Sequence, residues 1–148
     1  MRELNHLSEV INAYETFVID LWGVMHNGIK LNEKAMEAVK ELRIKSKKIV
    51  FLSNAPRPSL KVIDFLMKMK MGKQYLSNVM TSGEAAMQAI NHNKFGKNFF
   101  HLGPPRDSSI FEKVKDNLST IDDCDFILCT GLFDEDQPNH NKPQLHEN

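Results

Sequence analysis

Short apolar runs alternate with amphipathic stretches along most of this chain. Residues 4–14 place Leu7, Val10, Ile11 and Tyr14 at helical spacing, with Ser8 as a candidate cap, and predict a short amphipathic helix. Phe17-Val18-Ile19 running into Asp20 predicts a buried strand with a carboxylate at its tip. The stretch 23–31, which contains Gly28, reads as a loop. Asn32 is a good N-cap for a helix over 34–46, whose inner face carries Ala35, Ala38, Val39 and Leu42. Residues 49–52 predict a second strand, tipped by Ser53 and Asn54. In Ala55-Pro56-Arg57-Pro58 each proline biases its predecessor away from the α region, so a loop follows. Ser59 is then expected to cap a helix to about residue 71, with Gly72 stopping it.

Within 75–81 a short third strand is centred on Asn78-Val79-Met80. Thr81 or Ser82 opens a helix through about residue 92. Residues 97–102 form a fourth strand, ended by Gly103-Pro104-Pro105. Residues 108–117 read as helix and 126–130 as a fifth strand. This alternation of strand and helix predicts an α/β fold with a Rossmann-like, doubly wound parallel sheet. In such sheets ligands sit at the carboxyl ends of the strands, where Asp20, Ser53 and Asn54 fall. Beyond Phe133 the chain turns polar, with Leu145 its only aliphatic residue, and 134–148 is expected to be a disordered tail.

Composition narrows the function classes. Of 148 residues, 41% are hydrophobic, enough for the core of one domain, or of one domain and part of another. Nineteen basic residues balance nineteen acidic ones, which argues against a nucleic-acid or membrane-surface binder. No apolar run approaches the roughly 18 residues of a membrane span. Met1-Arg2-Glu3-Leu4-Asn5-His6 lacks a signal-peptide pattern, so a cytoplasmic protein is expected. Cys124 and Cys129 lack metal or redox spacing and read as small buried or half-buried apolar residues.

Taken alone, Asp20 has two readings. It ends its strand by capping loop amides, or it attacks phosphorus as a nucleophile, which calls for a divalent cation. Asp20-Leu21-Trp22-Gly23-Val24, followed after a helix by Phe51-Leu52-Ser53-Asn54, resembles the first two motifs of the haloacid dehalogenase superfamily. The likeness is to its branch of capped sugar- and nucleotide-phosphatase-like hydrolases. Thr81-Ser82-Gly83-Glu84-Ala85 resembles that branch's third strand end and helix start, and the resemblance covers about residues 15–133. It implies phosphatase chemistry through an aspartyl-phosphate on Asp20. It further implies a phosphate held by the Ser53 hydroxyl and Asn54, and Mg²⁺ bound by Asp20 and the Trp22 carbonyl. Gly23 would let the chain turn while nearby amides hold phosphate oxygens. Arg57, in its proline-flanked loop, would meet an anionic substrate.

Two departures qualify these expectations. Trp22 stands where the phosphatases keep a second aspartate, the acid and base of the reaction, and indole can be neither. His26 is a conceivable substitute. The family's lysine motif and acidic magnesium motif have no match; Lys142, Asp134 and Asp136 lie in the polar tail. The reading is therefore the N-terminal half of a core over 1–93, the beginning of a cap over 94–133, and the tail. Weak or absent catalysis is expected, with a phosphate-binding or protein-interaction remnant as the alternative. The expected partner is a phosphorylated small molecule, with no nucleic acid or membrane. A homo-oligomer or a complement encoded downstream is a further possibility.

Overall fold

Strands form where Val, Ile and Phe concentrate, and all of them pair in parallel. The computed structural model describes residues 6–131. Strands β1 (Thr16–Asp20), β2 (Lys48–Ser53) and β3 (Val79–Thr81) make one sheet in that order. Helices α1 (Glu33–Ile44) and α2 (Ser59–Lys68) are the crossovers, and α3 (Ser82–Asn91) follows β3. A second sheet pairs β4 (Phe99–Leu102) with β5 (Phe126–Cys129). The parallel α/β architecture expected from the alternation is present. Its five strands divide between two sheets, and within the described residues β1 is paired on one side only.

Register explains the core. Ile19, Phe51 and Val79 lie side by side, so the period-2 alternation puts them on one face. Met36 and Val39 of α1 and Val62 and Leu66 of α2 pack on that face together with Leu21, Met25, Met71 and Leu76. The opposite face carries Val18, Leu52 and Met80, all exposed. A second cluster gathers Ile90, Phe99, Ile110 and Phe111, with Ala86 and Met87 of α3 and Phe126 and Leu128 of β5 packed against it. Helix α3 therefore touches both the first sheet and the second cluster.

Several boundaries differ from the periodicity reading. The helix expected over 4–14 is a single 3₁₀ turn, Leu7–Glu9, capped by His6 and Glu9 and not by Ser8. A short helix repays its nucleation cost poorly. Ile11 is buried, but Tyr14 is exposed. The helix expected over 108–117 is two 3₁₀ stretches, Pro105–Ile110 and Glu112–Asn117, broken at Phe111. Asp107, Ser108 and Ser109 are poor helix formers, and burial of Ile110 and Phe111 sets the chain's course instead. Ser59 does not cap α2; Pro58 occupies that position without a side-chain bond. Cys124 is half-buried but Cys129 is exposed, on the outward face of β5.

Helix α2 ends before Gly72 for a specific reason. Lys70 takes φ +70° and donates its N–H to the Met67 carbonyl, while Met71 donates to Leu66. These paired bonds are a Schellman motif built without glycine, with Met71 and Leu66 both buried beside it. Ser46 closes α1 in the same way at φ +56°, and Asn93 closes α3 at φ +50°. Among the described residues no helix is long and apolar enough to cross a membrane. Phe133, Asp134, Asp136, Lys142 and the expected tail lie outside the described residues.

Candidate functional site

Parallel register brings the strand tips together. Asp20 sits beside Leu52, and Ser53 beside Thr81, so β1, β2 and β3 deliver their last residues to one edge. Asp20, Ser53, Asn54, Thr81 and Ser82 line a common hollow, with Val18, Leu52 and Met80 as its apolar floor. Asp20 is exposed at the tip, and Ser53 is buried.

The loop after β1 is a tight turn. Met25 and His26 both donate N–H bonds to the Leu21 carbonyl, at 2.8 and 3.2 Å, and Gly23 donates to the His26 carbonyl at 2.8 Å. Gly23 and Gly28 hold φ of +78° and +88°, the left-handed region that favours glycine. With its N–H engaged by His26, Gly23 supplies the turn in this conformation. It lines a separate hollow with Asn27, Lys30 and Asn32, away from Ser53 and Asn54. Trp22 lies edge-on to the His26 ring at 5.5 Å, and His26 in turn lies against Phe65 of α2 at 5.5 Å. The Gly28 N–H donates to His26 Nδ1 at 3.1 Å, which places the ring proton of the neutral imidazole on Nε2.

The loop after β2 is held from α3. The Ser82 hydroxyl shares its one proton between the Asn54 and Ala55 carbonyls, at 2.7 and 2.9 Å, and the Gly83 N–H also donates to Ala55. Thr81 Oγ1 donates to the Arg57 carbonyl at 2.5 Å and accepts from the Glu84 N–H at 3.0 Å. Glu84 accepts from the Ser59 N–H at 3.1 Å, at the start of α2. A Cβ built on Gly83 would overlap the backbone N, C and O of Arg57, so only glycine lets α3 approach this loop. Thr81-Ser82-Gly83-Glu84 thus position Asn54 and Arg57. Their resemblance to a family strand end was visible in the sequence, but their grip on a loop over twenty residues earlier was not.

A second hollow of about 420 Å³ opens between this loop, α2 and the segment after β4. Trp22, His26, Phe65, Arg57, Lys61 and Asp107 are among its walls, and Ser53 and Asn54 belong to both hollows. Of the residues singled out from the sequence, Asp20, Ser53 and Asn54 share the first, and Trp22, Ser53, Asn54 and Arg57 share the second. Lys61, Phe65 and Asp107 were not expected; only folding brings them here. Ser53 Oγ accepts from the Ala55 N–H at 3.2 Å and keeps its own proton for another acceptor.

Mg²⁺ prefers six oxygen ligands in near-octahedral array and often keeps several waters. The expected ligands, Asp20 and the Trp22 carbonyl, would provide two positions. No group of three or more Asp, Glu, His or Cys able to hold a metal occurs among the described residues.

Burial pushes the His26 imidazole below its ordinary value of 6.5, against the Asp20 carboxylate, which raises it. His101 is lowered in the same way, with Asp107 opposing. Both rings therefore take up a proton less readily in the folded chain than in the unfolded one. Their contribution to stability is complete above about pH 6.5 and declines as pH falls through that value toward the lower folded values. Thermal unfolding is expected to show a lower midpoint near pH 5 than near pH 7.5. In His26→Gln that difference is expected to shrink; an unchanged pH dependence would remove His26 as a cause.

A family model described as haloacid dehalogenase-like hydrolase matches residues 17–115. The structure is similar to a haloacid dehalogenase-like family hydrolase from Brucella suis 1330, with TM-score 0.77 and 27% identity over 89% of this chain and 48% of that one. It is similar to a 4-nitrophenylphosphatase from Thermotoga maritima, with TM-score 0.61 and 25% identity over 81% of this chain and 46% of that one. A p-nitrophenyl phosphatase from Archaeoglobus fulgidus shares the fold at TM-score 0.58 and 20% identity, covering 76% of this chain and 43% of its own. No curated protein matches. The chain spans about half the length of the solved structures it matches.

Proposed function

The chain belongs to the haloacid dehalogenase-like hydrolase family, and from that premise we propose that it binds phosphate monoesters at the tips of β1 and β2, with Asp20 as the nucleophile. The observation that carries this reading is the convergence of Asp20, Ser53 and Asn54 on one hollow at the carboxyl edge of a parallel sheet. A carboxylate oxygen of Asp20 forms a bond to phosphorus, and the bond from phosphorus to the ester oxygen breaks. The alkoxide or aryloxide leaves with the electron pair and takes a proton from solvent. Water then attacks the phosphorus of the aspartyl-phosphate, the bond to the Asp20 oxygen breaks, and the carboxylate and inorganic phosphate are released. Ser53 donates its hydroxyl proton to a phosphate oxygen. Arg57 and Lys61, on the walls of the adjoining hollow, favour a dianionic ligand.

Trp22 is the element that limits the rate. Without a carboxyl there, the leaving oxygen departs unprotonated, and attacking water is not deprotonated. Such help is typically worth about 10²–10⁴-fold. We read residues 1–93 as the N-terminal half of the family core and 94–133 as the beginning of its cap. The chain alone is then a slow hydrolase whose rate follows the acidity of the leaving alcohol. Turnover of a folded sample across a series of aryl and alkyl phosphates tests this. The expected result is measurable release from 4-nitrophenyl phosphate and none from alkyl phosphates; equal rates would mean that a general acid is present.

A second reading is favoured by the exposed Val18–Leu52–Met80 face and by β1, which among the described residues is paired on one side only. A strand of a second polypeptide would pair there, and the chain would serve as one half of an assembly. A discrete dimer by light scattering, with no turnover in either state, would favour it.

A further inference from the structure

Two features of the 420 Å³ hollow take no part in attack on phosphorus. The first is Trp22, the chain's single tryptophan, which is 64% exposed. Its ring is nevertheless held. His26 meets it edge-on with an interplanar angle of 89°, and Gly28 lies beneath its far edge. Even a Cβ on Gly28 would come within 2.8 Å of Cη2 and 3.0 Å of Cζ3. A large ring fixed by its neighbours, yet facing a cavity instead of the core, is a preorganised platform. The second is Asp107. It is 2% exposed, and its Oδ1 has no hydrogen-bond partner among the described residues. Arg57 Nε stands 4.0 Å away, beyond hydrogen-bond reach. A buried carboxylate oxygen without a donor is costly, and Asp107 is among the residues that border the cavity.

Resting on the phosphate-ester reading above, we propose that this cavity receives the organic half of the ester, a planar aromatic or heteroaromatic ring stacked on Trp22 that carries an N–H or O–H group donating to Asp107. The phosphate end lies at Ser53 and Asn54, which border both hollows. The cavity is within the range of about 300–1,000 Å³ usual for small-molecule sites. Trp22 supplies a π-face, worth most to a ring and little to an alkyl chain. Asp107 supplies an acceptor that an unsubstituted ring leaves unpaired. Trp22 and Asp107 are therefore specificity residues, and neither touches the bond that breaks.

Binding, not turnover, separates this preference from one based on leaving-group acidity. Non-hydrolysable probes suffice: propylphosphonate, phenylphosphonate and (4-aminophenyl)phosphonate, titrated into the full chain by calorimetry and by Trp22 fluorescence. Phenylphosphonate is expected to bind about tenfold more tightly than propylphosphonate, within the range that aromatic stacking contributes, and to change the Trp22 fluorescence. The amino group is expected to add a further several-fold gain. Trp22→Leu should reduce phenylphosphonate to the affinity of propylphosphonate, and Trp22→Phe should retain part of the difference. Asp107→Leu, of similar size and with no acceptor, should erase the amino gain alone. Should Asp107→Leu fail to fold, the comparison of the two aryl probes on the unaltered chain decides that part. Equal affinity for aryl and alkyl probes would overturn the platform, and equal affinity for the two aryl probes would overturn the role of Asp107. Failure of all three probes to bind would overturn the phosphate-ester reading itself.

Discussion

Replacing Asp20 with Asn is expected to bring hydrolysis of 4-nitrophenyl phosphate by the folded chain down to the buffer blank. An uncharged amide oxygen is a poor nucleophile, and among the described residues no other carboxylate shares the hollow that Asp20 forms with Ser53 and Asn54. Fold and binding should survive. Asp20 is exposed at the end of its strand, and surface changes usually stay within about 0.5 kcal/mol. Removal of a negative charge beside the phosphate should leave phosphonate affinity equal or higher. It also removes the group that raises the His26 pKa, so that ring should stay neutral to still lower pH. The measurements are initial rates of both proteins, with circular dichroism as the check on folding. Hydrolysis that persists in Asp20→Asn would dismiss this nucleophile. Fast turnover by the unaltered chain would dismiss the slow-hydrolase reading and direct attention to His26 as the proton carrier.

Phe51→Ala is expected to cost about 3–5 kcal/mol, the range for removing a large buried aromatic side chain. Phe51 is fully buried at the middle of the central strand, paired with Ile19 on one side and Val79 on the other. Helices α1 and α2 meet over it in one cluster. Domain stabilities are typically about 5–15 kcal/mol, so such a loss would leave a sizeable unfolded fraction. Because Phe51 lies two residues before Ser53, the tip of β2 should lose its position with the core. Urea unfolding followed by circular dichroism gives the value. A loss under about 1 kcal/mol would mean that the site does not depend on this core.

Much of the architecture was legible along the chain. The apolar runs around Val18, Val50 and Phe126 predicted strands, and the caps Asn32 and Thr81 open α1 and α3. Helix ends were less legible, because Ser46, Lys70 and Asn93 adopt the left-handed conformation usually left to glycine. Their cost is met by paired carbonyl bonds, which no residue-by-residue propensity registers. The stretch around Ser108 read as helix because its spacing allowed it, yet burial of Ile110 and Phe111 against Phe99 required 3₁₀ turns. In the site, the tips of β1 and β2 were legible because each is one local signal, an apolar run ending in polar residues.

By itself, then, the sequence determined the kind of strand and helix order this chain adopts and which residues reach the strand tips. Those properties follow from short-range patterning of apolar, capping and turn residues. Tertiary structure alone decided that α3 would pin the Arg57 loop through Ser82 and Gly83, and that Gly23 would line a different hollow from that of Ser53. It alone placed Asp107 opposite Arg57 without a hydrogen bond and left Trp22 facing a cavity. Each of these depends on backbones that approach each other from distant parts of the chain. Packing of the two hydrophobic clusters sets those approaches, and a linear pattern carries no record of them.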